Sequence, residues 1–97
     1  MLEVHKYKLV LTDDIQDFTL KEKPQFLHFA EQRGEFCMWV LENLDTKKTT
    51  TVHVMIVATG QPLPYKKVGL FEDIRHLSTI LVNDGNIVWH LFEIRNK

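Results

Sequence analysis

Arg75-His76-Leu77-Ser78-Thr79-Ile80-Leu81-Val82, then Asn83-Asp84-Gly85-Asn86, then Ile87-Val88-Trp89-His90-Leu91-Phe92-Glu93-Ile94: two runs rich in apolar residues flank an Asp-Gly pair. That pair between such runs is the strongest short-range hairpin signal, because both residues tolerate the positive φ of a tight turn. Centring a hairpin there places Ile80 opposite Trp89, Ser78 opposite Leu91, Thr79 opposite His90 and His76 opposite Glu93. Each face of the hairpin is then about half apolar. A solvated antiparallel sheet keeps one face polar, so both faces need cover from a second sheet, barrel closure or another subunit.

Working outward, the same two-residue period recurs. Thr49 to Ala58 is a β-branched run that suits a pleated surface. It is stopped by Thr59-Gly60-Gln61-Pro62-Leu63-Pro64, where a glycine and two prolines forbid regular structure. Phe26 to Gln32 and Glu35 to Leu41 form a hairpin closed at Arg33-Gly34. Its register sets Phe29 against Met38 and Leu27 against Val40 on one face. Phe26 against Leu41, His28 against Trp39 and Ala30 against Cys37 make the other. Arginine supplies the positive φ of a two-residue loop poorly, so a four-residue loop is an alternative, as is one helical turn over Phe26 to Ala30. Lys6 to Leu11 alternates Lys6 and Lys8 with Tyr7, Leu9 and Leu11, and Asp17 to Leu20 is a short second strand. Pro24 interrupts the connector that follows. The expectation is one all-β domain over residues 1–97, with six to seven short antiparallel strands in a small sandwich or partly open barrel and little helix.

Composition bounds the function classes. The chain is 44% hydrophobic and 26% charged with formal net charge -1, which is ordinary for a globular domain and does not indicate disorder. Near-neutrality argues against duplex nucleic acid as a partner, since phosphate neutralisation supplies most of that affinity. No apolar run approaches the roughly 20 residues of a membrane span, and the first residues lack the apolar block of a signal peptide. A single cysteine, Cys37, sits in the apolar segment Phe36 to Leu41 and reads as a buried, inert thiol. These features point to the cytoplasm. So short a chain buries little of its surface, and the two apolar faces of its last hairpin favour a homo-oligomer.

Catalytic and metal chemistry find little purchase. The five histidines fall in no H-x-x-x-H pair, and no second cysteine completes a zinc set. Ser78, the lone serine, lacks a nucleophile elbow. The expectation is no enzyme, no cofactor and no metal. His90 is expected to bond the Thr79 hydroxyl, and His76 to pair with Glu93. The most distinctive segment is Ala58 to Lys67, which puts a glycine turn, a hydroxyl, an amide, an aromatic ring and two ammonium groups together. Backbone nests and lysines hold anions, and tyrosine stacks on bases. If a small anionic ligand is bound, its site is expected at Thr59, Gly60, Gln61, Tyr65, Lys66 and Lys67, with Arg75 or His90 assisting.

Four pieces in order carry a resemblance: His5-Lys6-Tyr7-Lys8-Leu9, Gly34 to Trp39, Ala58-Thr59-Gly60-Gln61-Pro62, and Ser78-Thr79 followed by Ile87 to Glu93. Over roughly residues 5 to 95 the chain resembles a family of small phage and prophage domains of unknown function. That family's pattern is Lys-Tyr-x-Leu, Cys-Leu-Trp, Gly-Thr-Gly-His-Pro and Trp-His-Val-Phe-Glu. Gln61 replaces the turn histidine, so no role for an imidazole there carries over, and Val68 to Ile74 is a longer stretch than the family's. The resemblance implies phage origin and action in the cytoplasm of the host cell. With the small size and lack of a catalytic constellation, it suggests a non-enzymatic protein that counters host defence, by sequestering a nucleotide signal as a sponge or by capping a defence protein. The alternative is a structural or housekeeping phage component with no small ligand.

Overall fold

The computed structural model describes residues 1–63 and 73–95. Seven strands run in order: β1 Leu2–Leu9, β2 Gln16–Lys21, β3 Gln25–Gln32, β4 Glu35–Asn43, β5 Thr49–Ala58, β6 Asp73–Val82 and β7 Ile87–Arg95. They form two antiparallel sheets, β1-β4-β3 and β2-β5-β7-β6. Among the described residues the two sheets share no ladder and no helix occurs, so the architecture is the sandwich and not a closed barrel.

The core lies between the sheets. Leu9, Phe29, Met38 and Val40 from the first sheet meet Leu20, Val54, Ile56 and Leu91 from the second, all closed to water. Edge-to-face aromatic pairs stitch the layers, with Tyr7 against Phe18 at 5.7 Å and Phe36 against Trp89 at 5.6 Å between ring centroids. The cover required by the last hairpin comes from within the chain. The three-stranded sheet covers its inner face, while on the outer face Ile15 and Leu63 pack over Met55, Val57, Phe92 and Ile94. Cys37 is buried and free.

Strand extents follow the sequence reading closely. β5 spans the β-branched run itself, and β3 is extended where a helical turn was the alternative. The Arg33-Gly34 loop is a two-residue turn with both φ positive, at 54° and 81°, between the paired Gln32 and Glu35. Arginine accepts the left-handed conformation because the flanking ladders fix it. Leu11 lies beyond β1 and is exposed, so the opening strand is shifted toward the N-terminus.

Register departs from expectation at two places, each a β-bulge. In β3 the ladder shifts between Phe26 and His28, so Phe26, not Leu27, pairs with Val40. Phe26 thereby packs on the core and Leu27 is 42% exposed. In β6 the shift lies between His76 and Ser78; His76 pairs with Phe92 and Arg75 takes the place opposite Glu93. The expected His76–Glu93 ion pair is therefore absent, because Leu77 is the extra residue and turns into the core. Both bulges swap which neighbour faces inward, as the period-two geometry requires.

The β3 bulge makes a prediction. Phe26→Ala should cost about 2 kcal/mol, the lower range of a buried aromatic truncation for a half-buried ring. Leu27→Ala should stay within about 0.5 kcal/mol, as for surface positions. Urea unfolding of the two variants checks this, and equal losses would contradict the bulge.

Candidate functional site: a cleft between the sheets

Each inward-facing stripe turns polar at one end of the sandwich. Leu91 is followed by Glu93 and Arg95, Leu77 is preceded by Arg75, Val54 and Val52 by Thr50, and Leu20 is followed by Glu22. Here the layers enclose a cavity of about 780 Å³, within the range of small-molecule sites. Its floor is Leu20, Met38, Val40 and Val54, almost closed to water. The apolar wall that water reaches is Phe26, Val52 and Leu77, all half-buried. His53, His76 and Ile94 also border it, but strand alternation aims their side chains at the outer face.

The rim carries Glu22, Lys23, Arg75, Glu93 and Arg95, one more positive than negative charge. The Arg95 guanidinium donates to Glu93 at 3.2 Å. Arg75 faces the same carboxylate across the β6–β7 ladder but makes no ion pair or hydrogen bond to a described residue. The two bulges flank this cavity, placing Phe26 and Leu77 in its wall.

Beside the cavity, at the β1–β2 corner of the same end, sits Glu42, the one buried charged side chain among the described residues, 2% exposed. It accepts from the Tyr7 hydroxyl at 2.6 Å, from Lys21 N–H at 2.9 Å and from His5 Nδ1, so one carboxylate ties β4 to β1 and to β2 of the other sheet. The other His5 nitrogen, Nε2, bonds Glu3 at 2.9 Å. Burial pushes the Glu42 carboxyl up, but the hydrogen bonds from Tyr7, Lys21 and His5 outweigh it and hold it below the ordinary carboxylate value. Burial, then the bond to Glu42, pushes the Tyr7 phenol up. Bonds to Glu3 and Glu42 raise His5 above its ordinary 6.5.

The residues singled out from sequence are divided by the structure. Thr59 and His90 meet, with Oγ1 to Nε2 at 2.7 Å; His90 Nδ1 reaches Thr79 at 2.8 Å, as expected, and Thr79 reaches His76 Nε2 at 2.8 Å. One polarity runs from the Thr59 hydroxyl through His90 Nδ1–H to Thr79 and His76, and the reversed polarity satisfies the same groups. Gly60, at φ 87°, occupies the turn position that needs it, closed by Gln61 N–H to Ala58 C=O at 3.0 Å. The Gln61 side-chain carbonyl accepts from Ala58 N–H at 3.2 Å, which commits it to ending the strand. Arg75 lies on the inner face with the cavity, away from outward-facing His90. Tyr65, Lys66 and Lys67 lie outside the described residues.

Sequence reading missed the cavity. The available signal was the charged end of each inward stripe, since Glu93 and Arg95 share a face with Trp89 and Leu91.

A small two-sheet β-sandwich with a charged-rimmed cleft at one end is the class of protein this geometry defines. The chain belongs to the family described as Domain of unknown function (DUF7352), whose model matches residues 1–97. No curated protein and no solved structure matches it.

Two predictions follow from Glu42. Glu42→Ala strands the Tyr7 hydroxyl and the Lys21 N–H, and should lower stability by about 2–4 kcal/mol in urea unfolding. The pH profile has a definite shape. Glu42, lowered on folding, contributes fully above its unfolded value of 4.5 and loses that contribution as pH falls through its folded value. His5, raised on folding, contributes fully below 6.5 and loses that contribution as pH rises through its folded value. The cluster therefore stabilises most between these limits. The melting temperature of His5→Gln should fall less on the alkaline side than that of the parent; an identical alkaline slope would contradict the assignment.

Proposed function

We propose that the protein is a non-enzymatic binding protein of phage origin that withholds a small anionic molecule from host defence in the cytoplasm. The observation that carries this reading is the cleft: an apolar wall and, at its rim, an arginine, Arg75, without a charged partner among the described residues. A guanidinium left unpaired at a cavity mouth suits carboxylate or phosphate, which it binds through a planar fork of donors. Phage origin rests on the four sequence pieces described above. The counter-defence reading suggests a nucleotide immune signal; capping of a defence protein is the second form of the same reading. Self-association belongs to it as well, and light scattering at micromolar concentration should return a mass above the 11.5 kDa of one chain.

The test is incubation with a panel of cyclic nucleotides, followed by heat denaturation and recovery of the ligand. Intact nucleotide released from the parent and not from Arg75→Glu supports sequestration at the cleft. A degraded product would require an enzyme instead. Absence of binding would favour a protein partner, sought by pull-down from host lysate, or the structural reading.

A further inference from the structure

The wall and floor of the cleft narrow the chemistry of what enters it. Among the described lining residues, those whose side chains face inward at depth are Leu, Phe, Met and Val; the polar ones, Thr50, Gln25 and the charged rim, sit at the edge. A nucleobase carries several donors and acceptors on its edges. Pressed against Phe26, Val52 and Leu77, those groups would lose water without gaining partners, each at a cost of about 1–3 kcal/mol. An alkyl or aryl body loses nothing there and removes apolar wall from water. At the rim the demand is reversed. Glu93 is already engaged by Arg95, so among the described residues Arg75 has no carboxylate to itself, and an anionic head supplies one. The two bulges serve this arrangement. Leu77, the extra residue of β6, turns into the wall, while Arg75 two residues earlier keeps its place on the rim.

We infer that the cleft takes an amphiphilic monoanion, a carboxylate, sulfonate or phosphate ester with an apolar alkyl or aryl body, seated with its head on Arg75 and its body against Phe26, Val52 and Leu77. This rests on the reading of the chain as a binding protein and names the ligand class of the same site. A nucleotide is the competing class.

The test is calorimetric titration of the intact chain with dodecanoate below its micellar concentration, dodecanol, and a cyclic dinucleotide. Dodecanoate should bind about tenfold or more tightly than dodecanol. Arg75→Gln should bring dodecanoate down to the level of dodecanol while leaving dodecanol unchanged, and Val52→Phe, which narrows the cleft, should weaken both. Each variant is accepted only with a melting temperature within a few degrees of the parent; if Val52→Phe fails this, Leu77→Trp replaces it. Tighter binding of the dinucleotide than of dodecanoate would overturn the ligand class and leave the binding reading intact. Failure of all three to bind would overturn both. Equal affinity for dodecanoate and dodecanol, or no effect of Arg75→Gln, would overturn the role of the arginine.

Discussion

Glu42 is the constraint on which the ends of the two layers depend. A chain this short has little core with which to hold two sheets face to face, and among the described residues no ladder joins the layers. A carboxylate closed to water and reaching a backbone N–H of the opposite sheet supplies a directional link that apolar packing lacks. Such a group is tolerated only when every acceptor site is served, and Tyr7, Lys21 and His5 serve it. The link also anchors β1, an edge strand that pairs with β4 alone among the described strands.

The same end of the sandwich behaves differently across its width. At the β1–β2 corner Glu42 draws the layers together. On the β3–β6 side, where two edge strands lie one over the other, each strand carries a bulge and the layers part around the cleft. Bulges bend a strand and redirect its side chains, and they also blunt an edge against pairing with foreign strands. Here they do both: Phe26 and Leu77 are redirected into the wall of the cleft, and the ladders of the exposed edges are interrupted. Closure at one corner and parting at the other allow a 97-residue sandwich to carry an opening without giving up its core.

Most of the fold was legible in the sequence, and the reason is periodicity. Thr49 to Ala58 and the Asp-Gly hairpin announce strands by composition and turn chemistry, and the pairings of Ile80 with Trp89 and Phe29 with Met38 follow from the turn positions alone. The reading fails where one residue is inserted. At Phe26-Leu27 the period assigns the core to Leu27, itself apolar, so nothing local declares the shift; at His76-Leu77 it assigns the inner face to His76, and the longer-range partners give that place to Leu77. The wall of the cleft was hidden for the same reason, because Phe26 and Leu77 reach it through the bulges; only the charged ends of the inward stripes pointed to it. Of the anion-site residues, Thr59 and His90 were placed together by their strands, whereas Arg75 fell to the opposite face once Leu77 altered the count.

The proposed binding turns on location: between the layers, and not on the outer-face cluster of Thr59, Thr79 and His90. Methyl and amide NMR spectra during titration with dodecanoate locate it directly. Binding between the layers should move the Met38, Val52 and Leu77 methyl signals and the Arg75 guanidinium together, while Met55, on the far face of the second sheet, and the His90 ring stay in place. Shifts at Thr59, Gly60 and His90 with Met38 and Leu77 unmoved would contradict it.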